Sequence, residues 1–390
     1  MTQPLNRRAA ASLLVIGLVA TGCGQGGNTT DIDVSGTATA APTGTVQGGE
    51  ITFAVDGVPD VVATIATGLA TPWGLDFLPD GRAVVTERDS ARVLVVTSPK
   101  IGKEPTKEQG KVVEVGRIPE VDPRGEAGLL GVAVSPAFAT DKLLYFYVCT
   151  AEDNRVVRAR LDGNELGEPE PILTGIPTGD IHDGGRLAFG PDGYLYVSTG
   201  EGGRENLSQN KKSLAGKILR ISTDGQPAPG NPFNTAVWSW GHRNVQGLAF
   251  DADGSLWASE FGKDKADELN RILPGENYGW PKVEGTGGPK RFTQPDLTWK
   301  TGVASPSGLA YAGGYLWMAA LQGERLWRIK VAGGQVSDPA SYFDGDTAGD
   351  YGRLRTVARA PDGRLWLTTS NEDGRGTPAP EDDRILLVEP

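Results

Sequence analysis

The sequence is poor in cysteine, histidine and methionine, with only two of each among its 390 residues. No cluster of cysteine and histidine predicts a zinc site, and neither a Gly-x-Ser-x-Gly elbow nor a P-loop occurs. Long helical patterns are also missing beyond the N-terminal segment. Glycine and proline, with 55 and 27 residues, instead punctuate short runs of β-favouring residues. This pattern predicts an all-β protein.

Basic residues are also fewer than acidic ones. The 38 lysines and arginines are outnumbered by 49 acidic residues, which gives a formal net charge of −11. A nucleic-acid partner or a purely electrostatic attachment to an anionic membrane therefore has little support. The composition is typical of an acidic exported protein.

The N-terminal segment predicts export and lipid attachment. Residues 1–23 contain Arg7 and Arg8, then an apolar run, then small residues that end at Cys23. A basic region followed by a short apolar region and small residues is the pattern of a signal peptide. The ending resembles a bacterial lipobox, which would make Cys23 the lipidated first residue of the mature protein. An ordinary secretory signal with an incidental cysteine is the alternative.

The next segment predicts a tether. Residues 24–49 hold almost no large apolar side chains, so they cannot bury enough surface to fold. We expect a disordered linker between a lipid anchor on the outer face of the bacterial cell membrane and a folded domain over residues 50–390. The second cysteine, Cys149, falls in a β-favouring run and is expected to be buried and inert.

Six segments of the folded domain share one pattern, in which an alternating strand, a tight turn and a second strand follow one another. They lie at 74–85, 131–147, 186–197, 247–257, 308–317 and 357–367. Regular long spacing with a repeated hairpin predicts a six-bladed β-propeller, and a β-sandwich is the alternative. A strand near 61–65 paired with the C-terminal run 384–388 would close the ring.

Three polar segments between the hairpins, 201–216, 261–285 and 341–353, are expected to be long loops that carry chemistry. His182 stands just before the third hairpin, followed by Arg186. A neutral imidazole at a strand entrance can take a proton from a substrate hydroxyl, although a structural histidine is the alternative. His242, Arg243 and Asn244 precede the fourth hairpin in the equivalent place.

Two more groups of polar residues suggest ligands. Arg353 and Arg355 stand two apart, so on a strand they share a face and suit a polyanion. The segment 259–270 concentrates oxygen donors that suit a hard cation such as calcium, or a solvated acidic loop. Its candidate donors are Asp264, Asp267, Glu268 and Asn270.

Taken in order, these motifs resemble the PQQ-dependent glucose/sorbosone dehydrogenases, the family that includes the aldose sugar dehydrogenases. The resemblance covers about residues 60–390 and rests on nine motifs. They are Pro72-Trp-Gly74, Gly128-Leu-Leu-Gly131, His182-Asp-Gly-Gly-Arg-Leu187, Gly216-Lys-Ile-Leu-Arg220, Asn231-Pro-Phe233, Gly241-His-Arg-Asn244, Asp267-Glu-Leu-Asn270, Asn277-Tyr-Gly-Trp-Pro281 and Pro306-Ser-Gly308. The family fold is a six-bladed propeller.

The resemblance implies oxidation of an aldose at C1, with hydride passing to pyrroloquinoline quinone (PQQ) and calcium polarising the quinone. It implies that His182 is the base, and that Arg243 and Asn244 contact the quinone, with Arg243 stabilising charge on its oxygens. The other positions implied are Arg353 and Arg355 for the quinone carboxylates, the Gly262 and Lys263 carbonyls for calcium, and Glu268 and Tyr278 for a second calcium. The substrate would be a small sugar, and the electron acceptor is unknown.

The sequence departs from the family pattern at several places. Gln322 stands where the family often has a lysine against the quinone, and Glu201 replaces an aspartate. Glu126, Lys263 and Val245 replace glutamine, proline and proline. The lost lysine motivates an alternative, a non-catalytic cell-envelope propeller that has lost the quinone and binds a ligand or partner. A calcium-dependent lactonase is a weaker alternative, because the motifs lack its set of acidic and amide ligands.

Overall fold

The computed structural model describes residues 57–100, 108–345 and 349–390. The expected signal peptide, the tether and Cys23 lie outside these residues. Within them, no helix is both long and apolar enough to cross a membrane.

The regular secondary structure of the described chain is almost entirely β-strand, with one short α-helix, α1, at Phe138–Asp141 and 3₁₀ turns at Glu205–Gln209 and Pro232–Asn234. The strands in chain order are β1 Asp60–Ala66, β2 Pro72–Phe77, β3 Ala83–Glu87, β4 Arg92–Thr97, β5 Lys111–Arg117, β6 Leu129–Val134, β7 Leu143–Cys149, β8 Asn154–Asp162, β9 Glu165–Leu166, β10 Glu170–Ile176, β11 Gly184–Phe189, β12 Leu195–Thr199, β13 Lys217–Ile221, β14 Val237–Trp240, β15 Val245–Phe250, β16 Leu256–Glu260, β17 Asp267–Ile272, β18 Leu297–Trp299, β19 Pro306–Ala312, β20 Tyr315–Ala320, β21 Arg325–Ala332, β22 Gln335–Tyr342, β23 Leu354–Arg359, β24 Leu365–Thr369 and β25 Ile385–Glu389.

These strands form six antiparallel sheets, and each predicted hairpin is the inner pair of strands of one sheet. The first strands of successive sheets contact one another around a ring, in the order β2, β6, β11, β15, β19 and β23, and β23 returns to β2. The predicted six-bladed β-propeller is therefore confirmed. We number the blades 1 to 6 in this order, so that blade 1 begins with β2 and blade 6 with β23. Blade 2 carries the two-residue strand β9 in addition to its four strands.

Blade 3 illustrates how the sequence produces one hairpin. Leu187 pairs with Val197 and Phe189 with Leu195 across the two strands, and Gly193 supplies the positive φ of 78° that the turn requires. Leu187, Leu195 and Val197 then pack in one buried cluster with side chains of blade 2, including Tyr145. The alternation of the sequence thus places one apolar layer between neighbouring blades.

The ring is closed by strands from both ends of the described chain. β1 pairs antiparallel with β25, with Asp60 opposite Glu389 and Ala66 opposite Ile385. The predicted closure is confirmed, and it leaves blade 6 with β23, β24, β25 and β1 from the axis outward.

One expectation about the loops is wrong. Segment 261–285 is not a continuous loop, because β17 runs through it and pairs with β16 and β18. The charged residues Asp267 and Glu268 obscured this strand in the sequence, yet both are buried within the blade. Cys149 ends β7, and it is buried and unpaired, as expected.

Candidate active site

All of the predicted catalytic and quinone-binding residues lie at one end of the propeller. His182, Arg243 and Arg353 each stand one or two residues before an inner strand. Because neighbouring strands are antiparallel, the loops between second and third strands reach the same end. Gln322 lies in such a loop of blade 5. We call this opening of the central channel the His182 end.

His182 is held by a buried carboxylate. Its Nδ1 atom lies 2.5 Å from Oε1 of Glu201, whose side chain is 1% exposed. A carboxylate can only accept a hydrogen bond, so Nδ1 carries the hydrogen, and in the neutral ring Nε2 then keeps its lone pair. Within the described part of the chain, no residue hydrogen-bonds Nε2. The backbone of His182 has φ 61°, and its N–H donates to Oε2 of Glu126 over 3.0 Å.

A cavity of about 270 Å³ opens at the His182 end. Four arginines and two carboxylates line it, so its charged side chains carry a net formal charge of four minus two, or +2. These side chains are Arg88, Arg353, Arg355, Arg375, Glu126 and Asp373. Gln322 and Gln246 add neutral amides. A cavity of this charge suits an anionic ligand.

Arg353 and Arg355 share one carboxylate. Nη2 of Arg353 lies 2.8 Å and Nη2 of Arg355 3.3 Å from Oδ2 of Asp373. Burial opposes ionisation of Asp373, but the two guanidinium groups outweigh it and hold its pKa below the usual value. Burial lowers the pKa of Arg355 to about 10. The Nε atom of Arg355 is buried without a hydrogen-bond partner, so this arginine has donor capacity left.

Arg243 and Asn244 join blades 3 and 4 at the same end. Arg243 donates its backbone N–H to Glu260 and its Nη1 to the carbonyl of Phe261 over 3.3 Å. Its backbone carbonyl accepts the N–H of Glu201, which ties it to the loop that holds His182. Oδ1 of Asn244 accepts the N–H of Gly184 over 3.0 Å.

The second histidine, His242, has a structural role. His242 is fully buried, with Nδ1 2.8 Å from Glu260 and Nε2 2.8 Å from the hydroxyl of Ser239. Its ring stacks on Tyr278 with centroids 4.6 Å apart. Both nitrogens are engaged, so His182 is the histidine that is left for chemistry.

The loop that contains Gly262 and Lys263 is folded around one acidic side chain. Oε1 of Glu284 accepts backbone N–H groups from four successive residues. The distances are 2.6 Å to Lys263, 2.9 Å to Asp264, 2.8 Å to Lys265 and 3.2 Å to Ala266. The loop amides thus point at Glu284.

The four oxygen donors predicted in segment 259–270 do not converge. Asp264 is exposed, and the two oxygens of Asp267 accept the N–H groups of Gly262 and Ser305. Each oxygen of Asp267 therefore already has one backbone partner. Among the described residues, no group of three or more histidine, cysteine, aspartate or glutamate side chains is arranged to hold a metal.

Glu268 retains features of a cation site. It is buried and lies opposite Glu260 in the register of β16 and β17. Burial, and then the charge of Glu260, raise the pKa of Glu268 to about 8. Oδ1 of the neighbouring Asn270 is buried without a partner. The hydroxyl of Tyr278 is occupied by Arg271 and Leu273, so Tyr278 has no hydroxyl group free for a ligand.

Sequence reasoning missed several residues of this end. Arg88, Asp373 and Arg375 line the cavity, and Glu284 organises the 262–266 loop. Arg88, Asp373 and Arg375 could have been found from their position, because each lies in a loop between the second and third strands of its blade. Glu201 and Glu126 were noted only as departures from a pattern, yet both hold His182.

The fold and site define a six-bladed propeller with a histidine beside an arginine-rich cavity. The chain belongs to the glucose/sorbosone dehydrogenase family, whose pattern matches residues 69–377. It is therefore an enzyme of the sugar dehydrogenase class, as the sequence predicts.

Three relatives illustrate the similarity. The PQQ-bound aldose sugar dehydrogenase structure from Streptomyces coelicolor is 52% identical, with TM-score 0.79, and the match covers 85% of this chain and 97% of that one. Aldose sugar dehydrogenase YliI from Escherichia coli is 29% identical over 80% of this chain and 91% of its own. Quinoprotein glucose dehydrogenase B from Acinetobacter calcoaceticus is 33% identical, and the match covers 57% of this chain and 52% of that relative.

Proposed function

We propose that this enzyme oxidises an aldose at C1 with PQQ and calcium as its cofactors. The observation that carries the proposal is the pairing of His182 with buried Glu201 at the end of the channel where the arginine-rich cavity opens. His182 can take a proton, and the arginine-rich cavity can hold an anion.

His182 supplies the base. With Nδ1–H directed at Glu201, Nε2 is the atom that accepts the proton of the sugar C1 hydroxyl. Glu201 stabilises the positive charge that His182 then carries, because a buried carboxylate interacts strongly with an adjacent imidazolium. Arg243, whose carbonyl accepts the N–H of Glu201, would stabilise negative charge on the oxidant.

The residues present fit the quinone. PQQ carries carboxylates, and Arg353 and Arg355 meet at the cavity with a buried Nε of Arg355 still unpartnered. When bound, PQQ supplies the acceptor for the hydride. Asn244 and Gln322 would add amide contacts, and the cavity charge remains positive although Gln322 replaces a lysine.

The residues also fit calcium. The backbone carbonyls of Gly262 and Lys263 belong to a loop whose N–H groups are turned toward Glu284, and hard cations prefer oxygen ligands. A second ion would be held by Glu268, with the orphan Oδ1 of Asn270 as a further oxygen and Tyr278 limited to its backbone carbonyl. When bound beside the quinone, calcium supplies Lewis-acid polarisation.

Reconstitution tests the proposal. The purified chain, incubated with PQQ and calcium, should reduce a redox dye when aldoses are added and should bind PQQ at micromolar concentration. His182→Gln should abolish dye reduction while PQQ binding persists. A chain that binds no PQQ at all would instead support the alternative of a non-catalytic propeller.

We also propose that the enzyme is exported and anchored to the outer face of the cell membrane through lipidated Cys23. The basic, apolar and small-residue pattern of residues 1–23 supports this. Mass spectrometry of the expressed protein should find a diacylglyceryl group on Cys23. Cys23→Ser should release the protein from membranes, and an unmodified, freely soluble wild type would contradict the proposal.

A further inference from the structure

The central channel has a second opening, at the end where the six inner strands finish. We call it the Phe250 end, after the last residue of β15. It contains a cavity of about 510 Å³. This volume is typical of sites for small organic molecules, which usually measure about 300–1,000 Å³.

Apolar residues from all six inner strands recur around this cavity. Equivalent positions of the six inner strands form its rim, and they are mostly aromatic. These rim residues are Phe77, Val134, Phe189, Phe250, Tyr311 and Arg359. Two residues earlier on every inner strand, a leucine or valine that is buried between the blades also borders the cavity.

The aromatic rim is held in place by packing behind it. Phe77 makes an edge contact with Trp366 at 5.2 Å between ring centroids, and Phe250 a similar contact with Tyr196 at 5.1 Å. Rings fixed in this way lose little freedom when a ligand binds, which favours affinity.

Arg186 forms the floor of the cavity. Its side chain leaves blade 3 and donates from Nε to the carbonyl of Gln246 in blade 4, over 2.7 Å, and from Nη2 to the hydroxyl of Thr356 in blade 6, over 3.0 Å. Its guanidinium carbon lies 4.3 Å from the ring of Trp73 in blade 1. Contacts with three other blades mean that Arg186 crosses the channel and separates the Phe250 end from the His182 end.

This buried charge has no counterion. Arg186 is 7% exposed and lines the cavity, yet it forms no ion pair with any described carboxylate, and its Nη1 makes no hydrogen bond to a described residue. Burial, and then the like charge of Arg355, lower the pKa of Arg186 to about 9. A buried charge without a counterion is costly, and an anion placed against it would recover part of that cost.

The other charged groups at this end are few. Asp76 lines the cavity, but its two oxygens accept the N–H groups of Phe77 and Val134. Arg359 stands exposed at the rim without a described partner. The charged lining residues therefore carry a net formal charge of two minus one, or +1, with one cation at the floor and one at the opening.

We propose that the Phe250 end binds a small amphipathic anion, an aromatic or branched aliphatic carboxylate, with the carboxylate on Arg186 and the apolar part within the aromatic rim. This site is separate from the proposed sugar and quinone site, and it does not depend on the proposed function. Hydrogen bonds from Arg186 to a carboxylate and burial of the apolar group both favour binding.

Calorimetric titration of the full chain with 4-phenylbutyrate tests the proposal, with neutral 4-phenylbutanamide as the matched probe. The carboxylate should bind with a sub-millimolar Kd and the amide about tenfold or more weaker, because the charge-assisted hydrogen bond is lost. Arg186→Gln should weaken binding of the carboxylate by a similar factor. Arg375→Gln, at the His182 end, should leave it unchanged.

Three results would overturn the proposal: no binding at millimolar concentration, equal affinity for acid and amide, or binding lost in Arg375→Gln and kept in Arg186→Gln. If Arg186→Gln does not fold, Arg359→Glu at the exposed rim replaces it. That charge reversal should weaken the carboxylate several-fold while Arg359→Lys preserves its affinity, and wild-type affinity in Arg359→Glu would also overturn the proposal.

Discussion

Glu201 fixes the tautomer of His182 through a 2.5 Å contact with Nδ1. The carboxylate is buried, and the backbone N–H of Glu201 is bonded to the carbonyl of Arg243. One loop of blade 3 therefore positions the base and connects it to the arginine that precedes blade 4.

The first prediction follows from this contact. Glu201→Gln removes the negative charge and lets the amide donate to Nδ1, which would move the hydrogen to Nε2 and block proton uptake. We expect kcat for aldose oxidation to fall by about 100-fold or more, by analogy with other carboxylates that orient a catalytic histidine. Dye-reduction kinetics measure kcat and KM separately.

Glu201→Asp is the matched control, because it keeps the charge and should retain more activity than Glu201→Gln. The double variant His182→Gln with Glu201→Gln should be no worse than His182→Gln alone, since both act through one imidazole. Additive losses, or wild-type kcat in Glu201→Gln, would show that Glu201 has no role in orienting the base.

The second prediction concerns anion binding by the arginine pair. Arg353→Gln removes one guanidinium group from the cavity, and it leaves Asp373 paired with Arg355. We expect the Kd for PQQ to rise by about 10- to 100-fold, as for the loss of a charge-assisted hydrogen bond. Fluorescence titration with PQQ measures this change. Arg359→Gln, at the other end of the channel, should leave the Kd unaltered, and a shift of equal size there would indicate only long-range charge.

Much of this architecture could be predicted because each blade repeats a local pattern. Alternating side chains and a turn such as Gly190 to Gly193 specify a hairpin without reference to the rest of the chain. The equivalent positions of His182 and Arg243 before two inner strands then place both at one end. Such reasoning depends only on spacing and strand direction.

The remaining parts of the site could not be predicted because they depend on contacts between distant loops. Asp373 stands 20 residues from Arg353 and 18 residues from Arg355 in the sequence and meets both through the fold of blade 6. Glu284 reaches back 21 residues to Lys263. The backbone partners of Asp267, Gly262 and Ser305, could not be read from the sequence. The strand around it was missed because charged residues there are buried inside a blade.

The third prediction concerns the loop that holds the Gly262 and Lys263 carbonyls. Burial opposes ionisation of Glu284, but the four backbone N–H groups outweigh it and hold the pKa of Glu284 below its usual value. Glu284→Gln should weaken these hydrogen bonds, so amide hydrogens of residues 263–266 should exchange faster in the metal-free protein. Calcium affinity should fall by about tenfold, since part of the binding energy must then order the loop.

Glu276→Gln is the control for this experiment, because the carboxylate of Glu276 accepts one exposed hydrogen bond, from the hydroxyl of Thr293. Hydrogen exchange followed by mass spectrometry reads the loop directly, and calorimetry gives the calcium affinity. Unchanged exchange in Glu284→Gln would mean that the loop keeps its shape without the carboxylate. Faster exchange with unchanged calcium affinity would separate loop order from metal binding.

The last prediction concerns the pH dependence of stability. Asp183 is 1% exposed, and burial raises its pKa to about 6 in the folded protein from 3.8. Its Oδ1 accepts hydrogen bonds from Asn154 and Gly179, whereas Oδ2 is buried without a partner. Because the folded-state pKa is the higher one, the folded protein binds the proton more tightly. The resulting stabilisation is complete below pH 3.8 and is lost as the pH rises through about 6.

Asp183→Asn should remove this pH dependence, because the amide keeps Oδ1 and places an uncharged group at the Oδ2 position. On raising the pH from 4.5 to 7.5, the wild type should lose about 2 kcal/mol more of its free energy of unfolding than the variant does. This amount corresponds to a shift of about two pKa units. Urea denaturation at the two pH values measures this difference. Thr178→Val, which removes one neighbour of Asp183 but keeps the carboxylate, should retain the wild-type pH dependence. A parallel pH profile in Asp183→Asn and wild type would show that Asp183 does not take up its proton on folding.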